Sequence, residues 1–236
     1  MTLPFFYIKE FNPLQKEIVL DEDTSRHVVQ VLRMKKGEKL NLTDGKGNLI
    51  TAEIAEAHKR HCEVSVVDSR LTIHGSRKII IGISLLKNTG RFEWFLEKAT
   101  EIGVSEIIPL ICERTEKQKF RYDRMITICI SAMLQSQQTR LPLLHEPVQF
   151  DDLVMRQFDD FEKKIAHCLE ENKQALDHPY ISRSSNQLIL IGPEGDFTKK
   201  ETKLALHNGF LPVSLGKTRL RSETAAVVAA ALLANA

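Results

Sequence analysis

From Lys78 to Ala234 the chain alternates apolar, strand-length runs with amphipathic helix patterns, and this alternation most restricts what it can fold into. Lys78–Leu86 is almost continuously apolar, as strands buried on both faces of a parallel sheet are. The next segment sets Phe92, Phe95, Leu96, Ala99 and Ile102 on one helical face and stops at Gly103. Glu106–Cys112 reads as a strand, Tyr122–Gln138 as a helix and Lys163–Leu169 as a strand. Gln187–Ile191, the helix Lys199–Asn208, Leu211–Leu215 and the helix Glu223–Ala234 complete the series. Thr198 and Glu201 have capping-box spacing, and Asn208-Gly209 marks a helix end. The pattern predicts an α/β domain with a mainly parallel sheet covered on both sides.

Residues 1–72 read differently. Asp44-Gly45 and Gly47-Asn48 punctuate Lys39–Thr43 and Leu49–Ile54 as a hairpin does, and His61–Val67 alternates as a further strand. Asp21–Asp23 supply cap residues for a helix through Val28, Val29, Val31 and Leu32 that stops at Gly37. This mostly-β part predicts a small barrel. Ile73–Ser76 is the expected hinge, dividing the chain into 1–72 and 73–236.

Composition excludes several classes. The chain has 236 residues, 42% hydrophobic and 27% charged, as globular proteins do. Met1–Ile8 is apolar but is followed at once by Lys9 and Glu10, so it lacks the form of a signal peptide. No run reaches the ~18 apolar residues of a membrane span. A cytoplasmic location without membrane contact is expected. Cys62, Cys112, Cys129 and Cys168 form no Cys-x-x-Cys pair and read as free thiols. His58 and His61 have ligand-like spacing, but lie in a Lys/Arg-flanked stretch, and no metal is expected. A formal charge of +2 does not announce a nucleic-acid binder, so an anionic partner must be read from local patches.

Two loops carry the functional argument. Ile191-Gly-Pro-Glu-Gly-Asp-Phe197 and Leu215-Gly-Lys-Thr-Arg-Leu-Arg-Ser-Glu-Thr-Ala225 each follow an apolar strand and lead into a helix. Both are expected at the carboxyl ends of neighbouring strands, where open α/β sheets bind ligands. No Gly-x-Gly-x-x-Gly turn follows an early strand. Gly216-Lys217-Thr218 ends like a phosphate-binding loop, but that motif needs a glycine where Leu211 stands. Gly192, Gly195 and Gly216 could be turn residues only, and Ser222 is a good helix cap on structural grounds. Arg221 and Glu223 have no such local reason, although either could form a plain ion pair.

The Gly-Pro-Glu-Gly turn followed by Leu-Gly-x-x-x-Leu-Arg-Ser-Glu-Thr-Ala resembles the ribosomal RNA small subunit methyltransferase E family of the SPOUT superfamily. Lys87, Glu93-Trp94, Lys98–Glu101, Gly103-Val104 and Pro109 are similar to its first strand–helix–strand. His27 to Arg33, Gly37 and Asp44–Gly47 are similar to its N-terminal domain. Where that family usually has a second glycine after Pro-Glu-Gly, this chain has Asp196. Where it has Arg-Thr-Glu-Thr, this chain has Arg221-Ser222-Glu223-Thr224, and Leu134-Gln135 stands where Glu-Gln is usual.

The resemblance implies a PUA-like N-terminal barrel, a C-terminal trefoil knot, a homodimer, and methylation of uridine N3 in 16S ribosomal RNA by S-adenosylmethionine. Naked RNA and the assembled small subunit both remain open as substrate. It assigns the cofactor to Ile191, Gly192, Pro193, Glu194, Gly195, Leu215, Gly216, Leu220, Arg221, Ser222 and Thr224. Uridine N3 must lose a proton to become nucleophilic. Arg221 would stabilise charge on the uracil oxygens, and Glu223 or Glu194 would be the base, unless both glutamates only hold loop geometry. RNA contacts are expected from Arg33, Lys35 and Lys36, from Lys87 and Arg114, and from Arg121 and Arg124 beside Lys117 and Lys119. Methylation at another RNA position, such as a ribose hydroxyl, and non-catalytic RNA binding are the alternatives.

Overall fold

The computed structural model describes residues 3–72, 77–116, 119–168, 173–176 and 185–235. The expected hinge at Ile73–Ser76, Lys117 and the strand end at Leu169 lie outside them. The chain divides into two compact units, Met1–Gly75 with Met133–Leu141, and Ser76–Ala132 with Pro142–Ala236.

The first unit holds β1 (Phe5–Tyr7), β2 (Glu17–Val19), β3 (Lys39–Thr43), β4 (Asn48–Glu56) and β5 (Glu63–Leu71) in the order β1-β3-β4-β5-β2. β1 runs parallel to β3 and the other pairs are antiparallel. β1 and β2 are edges, so the expected barrel is an open half-barrel. Strand alternation sends Leu40, Leu42, Ile50, Ala52, Ile54 and Val64 into its core. At the β3–β4 turn, Asp44 Oδ1 accepts from Lys46 N at 2.9 Å and Oδ2 from Asn48 Nδ2 at 2.7 Å. Residues 139–141 dock on this turn: Gly47 N donates to Thr139 O and Leu141 N to Gly45 O, both at 2.8 Å.

The helix of this unit is shorter than expected. Asp21 caps α1 (Glu22–Arg26) by accepting from Thr24 N at 2.9 Å, and a π-turn, His27–Val31, follows. Val28, Val29 and Val31 are stiff at χ1 and crowd a regular helix. Arg33 takes a left-handed φ of 56° and ends the segment before Gly37.

In the second unit β6 (Ile79–Ser84), β7 (Glu106–Ile111), β8 (Leu143–Leu144), β9 (Val148–Gln149), β10 (Phe161–Ala166), β11 (Gln174–Ala175), β12 (Asn186–Ile191) and β13 (Leu211–Ser214) form one sheet. Its order is β11-β13-β10-β12-β6-β7-β8, with β9 also on β7, and every pair is parallel. All six residues of β6 are buried, as its uninterrupted apolar run requires.

Helices cover both faces. α2 (Thr89–Ile102) is capped by Asn88, ends at Gly103, and buries Phe92, Phe95, Leu96 and Ala99. It packs on α6 (Ser222–Ala234), which lies over β6 and β12. Leu188 and Leu190 face the other way, into a core with Phe150 and Leu153 of α4 (Phe150–Val154) and Ala205 of α5 (Lys199–His207). The capping box of Thr198 and Glu201 opens α5. α3 (Tyr122–Gln135) stops earlier than Gln138, because Gln137 turns left-handed at φ 57°.

Candidate functional site

Three strand ends frame the site. In register, Ala166 of β10 stands opposite Ile191 of β12 on one side and Val213 of β13 on the other. The carboxyl ends therefore emerge level. β12 and β13 are not neighbours as expected: β10 lies between them and contributes Ala166 and Cys168 to the space that their loops enclose.

The first loop is tied at several points. Gly192 is required by close approach, because a Cβ there would stand 3.1 Å from both Phe197 N and its ring. Asp196 N donates to Pro193 O at 2.9 Å. Asp196 itself sits at φ 65°, a left-handed position that Asp tolerates better than most residues. Its Oδ1 accepts from Phe197 N and its Oδ2 from Cys168 N, both at 2.8 Å. The aspartate thus fills the place of the family's second glycine and fastens the loop to the end of β10.

Glu194 is exposed, and its Oε1 accepts from the backbone N of Lys87 at 3.1 Å. Gly195 gives its carbonyl to Arg114 Nη1 at 2.6 Å.

The second loop turns at Gly216, whose φ of +135° a side-chain-bearing residue rarely adopts. It runs through exposed Lys217–Arg219 to α6. The cap of α6 is Arg221, which makes no side-chain capping bond, and Ser222 is the first helical residue. Ser222 therefore does not serve as the expected cap.

The two loops enclose a cavity of ≈ 330 Å³ and an adjoining one of ≈ 270 Å³, both walled by Ala166, Cys168, Ile191, Arg219, Leu220 and Ala225. Gly192, Pro193, Glu194, Arg221 and Ser222 line the first, and Leu215 and Gly216 the second. A third cavity, of ≈ 360 Å³, lies between the start of α2 and the start of α6 and is lined by Arg91, Trp94, Arg221, Glu223 and Thr224 among others. Arg221 lines both the first and the third. Of the expected cofactor residues, Thr224 falls in the third cavity and Gly195 lines none of the three.

Glu223 is 6% exposed. Its Oε1 lies 3.6 Å from Arg91 Nε, and its Oε2 has no hydrogen-bond partner among the described residues. Buried carboxylate oxygens are normally satisfied, so this atom marks a place where a donor is expected.

Sequence reasoning missed Ala166, Cys168 and Asp196 in the glycine-loop cavities and Arg91 as a partner of Glu223. Trp94 was a motif residue without a site. The signal for it was available: the apolar face of α2 leaves Trp94 outward, 42% exposed.

The basic residues divide. Arg33, Lys35 and Lys36 are exposed on the first unit and Arg121 on the second. Lys87 Nζ pairs with Glu116 at 2.7 Å, which pushes its ammonium pKa up. Arg124 forks onto Glu93 at 2.5 and 2.8 Å, holding that carboxyl below its usual range. Arg114 is engaged with Gly195. These three of the expected RNA contacts have partners within the protein.

Residues 74–234 match the model of an RNA methyltransferase domain and residues 20–67 that of an RNA methyltransferase PUA domain. The ribosomal RNA small subunit methyltransferase E of Synechocystis sp. is 30% identical over 224 residues, covering 92% of this chain and 73% of its own. The crystal structure of a probable rRNA-methyltransferase from Porphyromonas gingivalis superposes with a TM-score of 0.87 at 37% identity, covering 97% of this chain and 95% of that one. That of a ribosomal RNA small subunit methyltransferase E from Neisseria gonorrhoeae bound to S-adenosyl methionine gives 0.86 at 29% identity, with the same coverages.

Proposed function

The chain belongs to the ribosomal RNA small subunit methyltransferase E family, and from that membership we propose that it transfers a methyl group from S-adenosylmethionine to N3 of a uridine in 16S ribosomal RNA. The observation that carries the reading is the position of Arg221, on the wall common to a cavity of the glycine loops and a cavity beside the buried Glu223.

The glycine-loop cavities fit the cofactor. Their combined space falls within the range of small-molecule sites, about 300–1,000 Å³. Main-chain groups of Ile191–Pro193 and Leu215–Gly216 are available to an adenine edge, with Leu220 and Ala225 as apolar walls. When bound, S-adenosylmethionine supplies a methyl carbon on a sulfonium whose C–S bonding pair stays with sulfur as the acceptor attacks. The protein holds acceptor and donor sites together, which supplies much of the rate in a displacement of this kind.

Glu223 takes the N3 proton, and the nitrogen pair so released forms the new bond. Arg221 donates to a uracil carbonyl oxygen as negative charge gathers on it. Glu194 holds the loop to Lys87 and takes no proton. Uridine N3 lies on the pairing edge, so the base must leave its stack before reaction.

The exposed Arg33, Lys35, Lys36 and Arg121 contact RNA phosphates, on naked RNA or on the assembled subunit. The same reading places the protein in the cytoplasm. It also makes the chain a homodimer along α6, where Val227, Val228 and Leu232 are only half-buried, and threads the loops around β12 and β13 as a trefoil knot.

Arg221→Ala is expected to abolish methylation of ribosomal RNA while leaving calorimetric binding of S-adenosylmethionine within a few-fold of wild type. Equal loss of both would assign Arg221 to loop structure and end this account of its role.

A further inference from the structure

The geometry points to the cavity between α2 and α6 as a seat for a single extruded uracil ring, with Trp94 as its stacking face and Arg91 as the residue that positions Glu223. The inference rests on the methyltransferase reading and adds the substrate pocket to it.

Three observations converge there. The first is an exposed aromatic: Trp94, the chain's one tryptophan, stands 42% exposed on the cavity wall. Exposed aromatic faces beside cationic groups are how proteins hold unpaired bases. The second is the buried carboxylate of Glu223, whose Oε2 has no partner among the described residues. The third is a pair of guanidiniums on the same wall: Arg221 and Arg91, the latter 3.6 Å from Glu223 Oε1.

The chemistry of these groups suits one base. Along its pairing edge uracil presents an acceptor, O2, then the N3–H donor, then a second acceptor, O4. A carboxylate to take the N3–H and the Arg221 guanidinium to meet a carbonyl complement that edge. Cytosine would turn its N3 lone pair toward the carboxylate and is refused there. The volume of ≈ 360 Å³ suffices for one base.

Arg91 acts through Glu223. Holding Oε1 fixes the carboxylate that takes the N3 proton, and Arg221 lines the glycine-loop cavity as well as this one.

The single tryptophan makes the pocket observable. With S-adenosylmethionine present, a short single-stranded uridine oligonucleotide is expected to quench Trp94 emission in the full-length protein, and the cytidine oligonucleotide is not. Trp94→Ala is expected to raise the KM for ribosomal RNA on the order of ten- to a hundredfold, and Trp94→Phe to restore most of it. Arg91→Ala is expected to lower kcat with KM little changed, and Arg91→Lys to recover part of kcat. Cofactor affinity should be retained in all four variants.

Methylation by Trp94→Ala at unchanged KM would overturn the pocket and leave the enzyme reading in place. So would emission that follows protein concentration and ignores the oligonucleotide, since a second copy of the chain would then cover Trp94. Selective quenching by uridine in a protein that never methylates would instead overturn the enzyme reading and keep the pocket.

Discussion

Glu223 carries a buried oxygen that no group among the described residues meets, and leaving such an acceptor unpaired costs about 1–3 kcal/mol, more when it is charged. A site that tolerates this cost is one where the group is used. Glu223→Gln is therefore expected to slow single-turnover methylation by about 10²–10⁴-fold, the usual worth of a general base, without loss of fold stability. Glu194→Gln is expected to change the rate little, because an amide oxygen can still accept from Lys87 N. Equal defects in the two variants would contradict the division of roles.

Both glutamates were visible as chemistry in the sequence. Their difference was not, because it depends on α2 packing over α6 and burying one of them. Thiols follow the same logic. Burial pushes Cys112 up to about 12 and Cys129 up to about 11, and raises Cys62, while Cys168 lies exposed at the glycine-loop cavity. At mildly alkaline pH one thiol, Cys168, is expected to react with a disulfide reagent in the native protein, and S-adenosylmethionine is expected to slow it. Unchanged labelling at saturating cofactor would place the cofactor elsewhere.

Elements position these groups, and the first glycine loop is the most constrained of them. Asp196 holds a left-handed backbone that costs an ordinary residue about 1–2 kcal/mol, and its carboxylate closes the loop onto Phe197 N and Cys168 N. Asp196→Ala keeps the strain and loses both bonds, so urea unfolding should report a loss of about 2–4 kcal/mol. Asp196→Asn, which tolerates the same conformation, should lose less. Gly192→Ala must push against Phe197, itself buried against Phe150 at 5.1 Å between ring centroids. It is expected to weaken cofactor binding more than it weakens the fold.

Strand and helix identities were legible here from apolar runs and caps: the capping box at Thr198 and the stop at Gly103 lie in the sequence and in the structure alike. The placing of β10 between β12 and β13 was not legible. A continuous apolar run says that a strand is buried and says nothing of which strands flank it. The chain leaves β12 and passes through α5 before it returns on the far side of β10 as β13, and only that order brings Cys168 into the site.

Stability and RNA affinity belong to the whole molecule, and each has its own pH or salt signature. The folded protein binds the thiol protons of Cys112 and Cys129 more tightly than an unfolded chain does. Their contribution to stability is thus complete below the ordinary thiol value of 9.0 and is lost as pH rises through about 11 to 12. A denaturation midpoint that stayed flat up to pH 11 would rule this out.

RNA affinity should depend on which cations are free. The sequence displayed every basic cluster but could not say which ones are neutralised, because Glu93 and Glu116 arrive from other elements. Lys87 and Arg124 are already paired, whereas Arg33, Lys35 and Lys36 are open to solvent. Replacing these last three by Gln is expected to flatten the log–log salt dependence of RNA binding by about 2, from counterion release of about 0.7 per phosphate contact on single strands. Replacing Lys87 and Arg124 by Gln should change that slope by much less, since each already has a carboxylate partner. An identical slope change for the two sets would mean that RNA displaces both glutamates, and that the ion pairs seen here are not those of the complex.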